Sequence, residues 1–286
     1  MGTTTSRRAS ALRWLSGLIG IGLAVGLAVP AWKHYYPVTG SSGWSARVFL
    51  DDLPLASALA ADGRGGVFVS LEQKHGTGRI LQVGADGMRA TVKDGLSKLD
   101  GMVAYRGGIA YSQEEGGVPV RWWSGDRDEA LFDGYNVEAL ATDGHYLYAI
   151  EDRPDASRLF RFDPQRRSVE ILRDRLEVAE GVTVCPDGRL FYVEKKKAAV
   201  RQLQPDGNDT LVAGGLNEPG FLMCDAEGLW IAEDATHMAR LLLLDPAGRL
   251  RVVLSHLRSA QTILPFGPGR YLLAEQGRNR VLEITR

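Results

Sequence analysis

The chain has 286 residues, of which 34 are basic and 35 acidic. Four of the basic residues lie within residues 1–40, which contain no acid, so the remainder carries five more acidic than basic side chains. That balance argues against nucleic acid as a partner. Glycine occurs 34 times, well above the typical share of about 7%, which indicates a chain that turns often.

The first segment is predicted to be a transmembrane signal-anchor helix. Residues 14–32 carry no charge and would extend about 28 Å as a helix, just enough to span a bilayer. Three arginines precede this span and one lysine follows it directly, so residues 1–13 should stay in the cytoplasm. We therefore expect a single-pass protein of the cytoplasmic membrane with its main body on the extracytoplasmic, periplasmic side. A cleaved signal peptide ending near Ala31 is the alternative.

Residues 33–43 form a linker by composition, ending in a Gly-Ser run. Beyond it, a short phrase recurs six times: two β-forming residues, a polar pair and a large apolar residue. The closing residues are Leu53, Leu96, Tyr135, Leu176, Leu216 and Leu257. A period of about 40 residues with strand-type composition is typical of propeller blades.

Within each unit, short apolar runs alternate with turns. In the fourth unit these runs are residues 181–188, 190–194 and 199–203. Such runs, divided by Asp-Gly or Pro-Gly turns, predict antiparallel meanders. The last unit ends after its third strand, whereas a surplus fourth strand, residues 44–53, precedes the first unit. The sequence thus predicts that residues 44–286 form an all-β, six-bladed β-propeller of four-stranded antiparallel blades, closed by an N-terminal strand.

Cys185 and Cys224 occupy matching positions on the innermost strands of neighbouring blades. Adjacent blades diverge outward, and a disulfide needs Cα atoms within about 7 Å. We therefore favour two buried thiols over a disulfide, although a disulfide is possible in an oxidising compartment.

Several phrases resemble NHL repeats and the six-bladed propellers of the gluconolactonase (senescence-marker) and strictosidine synthase-like families. They include residues 181–194, 217–220 with 225–232, and 277–282. The resemblance implies a ligand-binding top face, formed by loops that enter the innermost strands and leave the second strands. In the lactonase relatives, a Glu, Asn residues and an Asp hold one divalent cation, usually calcium, on the axis.

That ligand set does not carry over to this chain. Residues 54–57 stand where the relatives have their Glu, Glu180 stands in the place of an Asn, and residues 218–220 lack the matching Asp. Another axial set precedes the inner strands of blades 2, 3 and 4, and consists of Asp100, Glu138 and Glu180. Their oxygens could hold a hard cation such as calcium, or they could be spread around the rim and solvated. Residues that break the repeat are the candidates for ligand binding, namely Lys98, Asn136, Asn217 and His237.

A second series of acids ends the second strands, and it comprises Glu72, Glu114, Glu151, Glu194, Glu233 and Glu275. Because the series recurs in every blade, we expect each member to cap its own loop by accepting backbone N–H bonds. The run 195–197, three lysines, is interpreted as a solvated loop.

Two classes of function follow from this sequence. The first is a non-catalytic, membrane-tethered extracytoplasmic propeller that binds a small ligand or protein partner on its top face. The alternative is a divalent-metal-dependent lactonase or esterase-type hydrolase, with the ion polarising a carbonyl and activating water. The broken ligand set favours the first.

Overall fold

The computed structural model describes residues 25–41, 43–153 and 156–286. Two compact units are distinguished, Met1–Pro37 and Val38–Arg286. In the first unit, residues 25–35 are helical. No helix within the described residues is long and apolar enough to cross a membrane. Most of the predicted span 14–32, and all of residues 1–13, lie outside the described residues, so the signal anchor stays a prediction.

The second unit is a six-bladed β-propeller, as predicted. Blades 1 to 3 contain β3 (Ala56–Ala61), β4 (Val67–Leu71), β5 (Gly78–Val83) and β6 (Arg89–Leu96); β7 (Met102–Tyr105), β8 (Gly108–Tyr111), β9 (Val120–Ser124) and β10 (Arg127–Phe132); and β11 (Val137–Thr142), β12 (Leu147–Glu151), β13 (Ser157–Asp163) and β14 (Ser168–Leu176). Blades 4 to 6 contain β15 (Ala179–Val184), β16 (Leu190–Glu194), β17 (Ala199–Gln202) and β18 (Thr210–Gly214); β19 (Pro219–Asp225), β20 (Gly228–Glu233), β21 (Ala239–Leu244) and β22 (Leu250–Leu257); and β23 (Ala260–Gly267), β24 (Arg270–Glu275) and β25 (Arg280–Thr285). The first strand of each blade is innermost, and all pairings are antiparallel.

The N-terminal part of the chain closes the ring. Strand β2 (Ser45–Leu50) pairs with β25 and supplies the fourth strand of blade 6, which confirms the predicted closure. A further strand, β1 (Thr39–Gly40), lies within the predicted linker and pairs with β22, so blade 5 has five strands.

Aromatic packing supports this closure. The Trp44 ring lies 5.4 Å from that of Trp230 and 6.0 Å from that of Tyr271, between centroids. Trp230 and Tyr271 are buried in the apolar layer that joins blades 5 and 6. The residue that opens the closing segment therefore packs directly on the core.

The inner strands crowd together at the propeller axis. A Cβ atom added to Gly181 would lie 2.1 Å from the carbonyl oxygen of Gly220, on the inner strand of the next blade. Only glycine permits this approach of two backbones. The same crowding brings neighbouring functional side chains, which lie beside these glycines, close to one another.

Cys185 and Cys224 are joined by a disulfide with a Cα–Cα distance of 4.9 Å. The expectation of two free thiols was therefore wrong. Adjacent blades do diverge outward, but both cysteines lie at the inner strands, where the divergence has not begun. The distance falls within the usual range of about 4.4–6.8 Å.

Candidate functional site

Each blade repeats one backbone arrangement at the top face. Just before the inner strand, one residue adopts the left-handed conformation with φ between 44° and 56°, and these residues are Leu55, Lys98, Asn136, Val178, Glu218 and Ser259. The carbonyl of each accepts a 2.7–3.0 Å hydrogen bond from the backbone N–H of a residue just past the second strand. Each non-glycine residue in this conformation costs on the order of 1 kcal/mol. This backbone hydrogen bond therefore holds the entry of the innermost strand at a fixed distance from the residue just past the second strand.

These two positions define two sets of residues around the axis, which we call the mouth. The inner set, at the entry of the innermost strands, is Ser57, Asp100, Glu138, Glu180, Gly220 and Gln261. The outer set, past the second strands, is Glu72, Glu114, Asp152, Lys195, Asp234 and Gln276. Seven of these twelve residues are Asp or Glu, which concentrates acidic groups at one end of the axis.

Three of the acids converge between blades 1 and 2. One carboxylate oxygen from each of Glu72, Asp100 and Glu114 lies within 4.8 Å of the other two. The Gln276 amide donates to Glu72 at 2.5 Å and the Ser57 hydroxyl donates to Asp100 at 2.6 Å. We call these three acids the acid triad.

Burial raises the pKa of two acids of the triad, Glu72 and Asp100. It raises the pKa of Glu72 to about 7, although the hydrogen bond from Gln276 acts in the opposite direction. The pKa of Asp100 is raised well above its usual value by burial and then by the charge of Glu72. Beside them, Lys98 forms an ion pair with Glu114. Burial alone would lower the pKa of Lys98, but the hydrogen bond and charge of Glu114 outweigh that effect and raise it.

On the other side of the mouth, one lysine bridges two blades. The Lys195 ammonium group lies 2.8 Å from Glu180 Oε1 and 3.0 Å from Asp234 Oδ2. The Gln261 amide donates to the other oxygen of Asp234 at 2.5 Å. Burial raises the pKa of Glu180 to about 7 despite the charge of Lys195. The run 195–197 forms a 3-10 helix without buried residues; its first lysine is held by these acids, whereas the side chain of Lys196 is 69% exposed.

Glu138 differs from the other acids of the mouth. Glu138 is only 8% exposed. Among the described residues, no hydrogen bond or ion pair engages its carboxyl group. Burial, followed by the charges of Glu180 and Asp100, raises its pKa well above the usual value. An unpaired carboxyl in such surroundings is unfavourable when ionised.

The expected capping by the second acid series holds in four blades. Glu151, Glu194, Glu233 and Glu275 each accept a backbone N–H bond from the preceding loop. The expectation was wrong for Glu72 and Glu114, which lie one position later in the register. Leu71 pairs with Ala56 as Glu151 pairs with Val137, and Gln113 takes over the capping in blade 2. The shifted acids turn to the mouth instead.

The residues predicted from the sequence are distributed as follows. Asp100 belongs to the acid triad, whereas Glu138 and Glu180 lie in the mouth outside that group. Lys98 lies beside the triad. The side chain of Asn136 accepts the N–H of Gly116 at 2.7 Å.

The two remaining predicted contacts belong to blade 5. The backbone N–H of Asn217 donates to Glu233 at 2.7 Å, and the residue is exposed. His237 is half-buried beyond the second strand of that blade. The roles predicted for all these residues stay predictions. Sequence analysis missed Glu72, Glu114, Asp152, Lys195 and Asp234, which the comparison of register between blades would have identified.

The acid triad fits a hard divalent cation. Calcium binds carboxylate oxygens at about 2.3–2.6 Å, so two of its ligands are at most about 5 Å apart. The triad oxygens meet this limit, and all three donors are of the type that calcium prefers. Glu72, Asp100 and Glu114 are therefore the residues that would hold such an ion.

The fold and the mouth define a class: a six-bladed β-propeller with an acidic axial site. No family model matches the sequence, and no curated protein does either. Among solved structures, the chain is similar to a gluconolactonase from Xanthomonas campestris, with a TM-score of 0.72, 12% identity, and coverage of 86% of this chain and 91% of that one.

Two further solved structures share this architecture. A luciferin-regenerating enzyme has a TM-score of 0.67 at 11% identity, with 85% of this chain and 96% of that chain covered. An auxiliary nutrient binding protein from Bacteroides ovatus has a TM-score of 0.62 at 11% identity, with coverage of 87% and 76%. At these identities the likeness shows the fold alone. The resemblance to gluconolactonase-like propellers expected from the sequence is confirmed at that level.

Proposed function

We propose that this protein is a divalent-cation-dependent hydrolase that opens lactones or related esters at the mouth of its propeller. The observation that carries the proposal is the acid triad, three oxygen donors at calcium-compatible spacing in the mouth between blades 1 and 2. The similarity in fold to a gluconolactonase and to a luciferin-regenerating enzyme supports it. This similarity favours the hydrolase over the non-catalytic ligand binder, which was the preferred hypothesis from the sequence.

When bound, the cation would polarise the substrate carbonyl. Proton transfer falls to Glu180, whose pKa of about 7 suits general acid–base work at neutral pH. Lys195 holds one of its oxygens, Oε1, in place. The other, Oε2, lies 3.4 Å from the position that a Cβ of Gly220 would occupy, a position also 3.2 Å from the Cβ of Asp234, and we place a water molecule in this narrow space. Glu180 would accept the proton of that water as it attacks the carbonyl.

The test combines metal content with hydrolysis. Full-length protein should retain about one calcium ion per chain, and its melting temperature should rise with calcium over chelator because only the folded ring assembles the site. Glu72→Gln and Glu114→Gln should abolish both effects and lactone hydrolysis. Glu129→Gln, at an exposed acid of β10, is the matched control. Full activity in chelator would overturn the proposal.

A second candidate function is non-catalytic ligand binding outside the cytoplasm. The donors of the chain itself favour it, since Lys98 and Gln276 engage two of the triad acids, Glu114 and Glu72. The nutrient binding protein of similar fold supports the same reading. Stable binding of a sugar-like ligand without turnover would favour this candidate.

We also propose that the protein works on the periplasmic side, tethered to the cytoplasmic membrane by its N-terminal segment. The Cys185–Cys224 disulfide supports an oxidising compartment, because such bonds are rare in the cytosol. Membrane fractionation with a carbonate wash, followed by protease added outside the cytoplasmic membrane, tests both parts of this proposal. A soluble product beginning near Trp32 would remove the tether.

A further inference from the structure

We propose that the mouth contains a subsite for a protonated primary amine, centred on Glu138, and that the natural ligand carries an ammonium group. The claim that the ammonium group belongs to the substrate rests on the proposed hydrolase function. The subsite itself does not rest on that function, because amine binding is measurable without any turnover.

The first argument is the pattern of hydrogen bonds in the mouth. Within the part of the chain that the structure describes, every other acid there has a side-chain donor. The acid and donor pairs are Glu72 with Gln276, Asp100 with Ser57, Glu114 with Lys98, Asp152 with Ser157, Glu180 with Lys195, and Asp234 with Gln261. Glu138 is the exception, and it is more than nine-tenths buried. Among the described residues, the fully buried side-chain oxygen without a hydrogen-bond partner is Oε2 of Glu151, so the carboxyl oxygens of Glu138 keep access to solvent and a donor group of a ligand can reach them.

The second argument is the charge of the mouth. Its seven carboxyl groups face two ammonium groups, those of Lys98 and Lys195, and both are already engaged in ion pairs. One divalent cation at the acid triad would offset two further charges and still leave an excess of acid. A positively charged ligand at Glu138 would reduce that excess.

The third argument distinguishes an ammonium group from a second metal ion. Among the described residues, the acid triad is the group whose acids meet the spacing for a shared ion, and Glu138 is not part of it. A metal needs several oxygens at one point. An ammonium group needs acceptors for its three N–H bonds and tolerates looser geometry. Glu138 would accept one of these bonds, with Glu180 and Asp152 contributing charge.

The test uses pairs of probes that differ in a single group. The ammonium probe 3-aminotetrahydrofuran and the neutral probe tetrahydrofuran-3-ol have the same ring and contain no bond for a lactonase to hydrolyse. We expect calorimetry on full-length protein near pH 7.5 to show binding of the amine at least about tenfold tighter than of the alcohol. Glu138→Gln should remove this difference, and Glu129→Gln should keep it.

Calcium separates this proposal from the hydrolase proposal. Glu72→Gln should lose calcium binding but retain the preference for the amine, so each proposal can fail alone. If wild-type protein binds both probes equally, or neither, the subsite is refuted, and that comparison needs no variant. If calcium displaces the amine from wild-type protein but not from Glu72→Gln, the ion acts from the acid triad, and the result supports a separate amine subsite at Glu138. Displacement that persists in Glu72→Gln would make Glu138 a metal ligand and overturn it.

Hydrolysis gives an independent readout of ligand class. We expect kcat/KM for α-amino-γ-butyrolactone to exceed that for γ-butyrolactone by about tenfold, with the excess lost in Glu138→Gln. Equal values, with preferential amine binding intact, would overturn the assignment of the ammonium group to the substrate.

Discussion

The ammonium group of Lys195 lies 3.0 Å from the carboxylate of Asp234 in the next blade while it also binds Glu180 at 2.8 Å. A single side chain thus ties two blades together at the axis. Most of it is withdrawn from water, so its removal leaves two acids in a poorly solvated place.

We therefore predict that Lys195→Met lowers the free energy of unfolding by about 2–4 kcal/mol at pH 8, as expected when one partner of a buried pair is lost. The loss should be smaller at pH 5, where Glu180 can take up a proton. Denaturant unfolding at the two pH values measures it. Lys196→Met is the matched control, since that side chain is 69% exposed and should change stability by less than about 0.5 kcal/mol. Equal effects of the two substitutions would contradict the bridge.

Closure of the ring gives a second prediction. Deleting residues 44–53 removes β2, exposes the edge of β25 and takes Trp44 from its contacts with Trp230 and Tyr271. We expect insolubility or loss of cooperative unfolding, because an open sheet edge invites aggregation. Thermal denaturation followed by circular dichroism tests this, with a chain that begins at Val38 as the control. An unchanged cooperative transition would show that blade 6 is stable with three strands.

The acids of the mouth predict how stability depends on pH. The pKa values of Glu72 and Glu180 are raised to about 7, so the folded protein binds more protons than the unfolded chain between about pH 4.5 and 7. Stability from this source is complete below that window and is lost as pH rises through it. In chelator, the melting temperature should fall by roughly 3 °C or more from pH 5 to pH 8.

Calcium should reverse part of this loss, since the ion replaces the protons on Glu72 and Asp100 of the acid triad. Its stabilising effect should therefore be larger at pH 8 than at pH 5, as measured by differential scanning fluorimetry. In Glu72→Gln, both the melting temperature in chelator and the stabilisation by calcium should depend less on pH. A melting temperature that rises with pH in chelator would contradict the burial of these acids.

The disulfide gives a fourth prediction. It closes a loop with a sequence separation of 39, for which loop entropy suggests about 3–4 kcal/mol of stability. Cys185→Ser, Cys224→Ser and the double variant should lose similar amounts, because each removes the same bond. Thiol titration of the denatured, unreduced protein should detect no free thiol. Two free thiols in protein isolated from its own compartment would contradict the bond.

Much of the fold could be predicted because a blade is a local pattern. Strand composition, glycine turns and the recurring closing residue lie within about 40 residues of one another, and each blade repeats them. The surplus strand at residues 44–53 was visible by counting alone. The Cys185–Cys224 bond was not, since whether two inner strands are close enough depends on how blades converge at the axis.

The candidate site was predicted only in part, and the reason is register. Asp100, Glu138 and Glu180 were identified because they precede inner strands in matching positions. Glu72 looks like Glu151 in the sequence, yet one residue of offset directs the first to the mouth and the second to its own loop. Side chains alternate between faces along a strand, so such an offset changes the role of a residue without changing its type.

The sequence by itself determined the blade count, the closing strand and the excess of acid, since these depend on composition and spacing along the chain. Only the tertiary structure decided which acids meet. Glu72, Asp100 and Glu114 come from different strands of two blades, and their convergence depends on ring closure and on the left-handed residues that fix each loop. The same closure left Glu138 buried without a donor, because each blade places its own side chains but their neighbours come from the blades on either side.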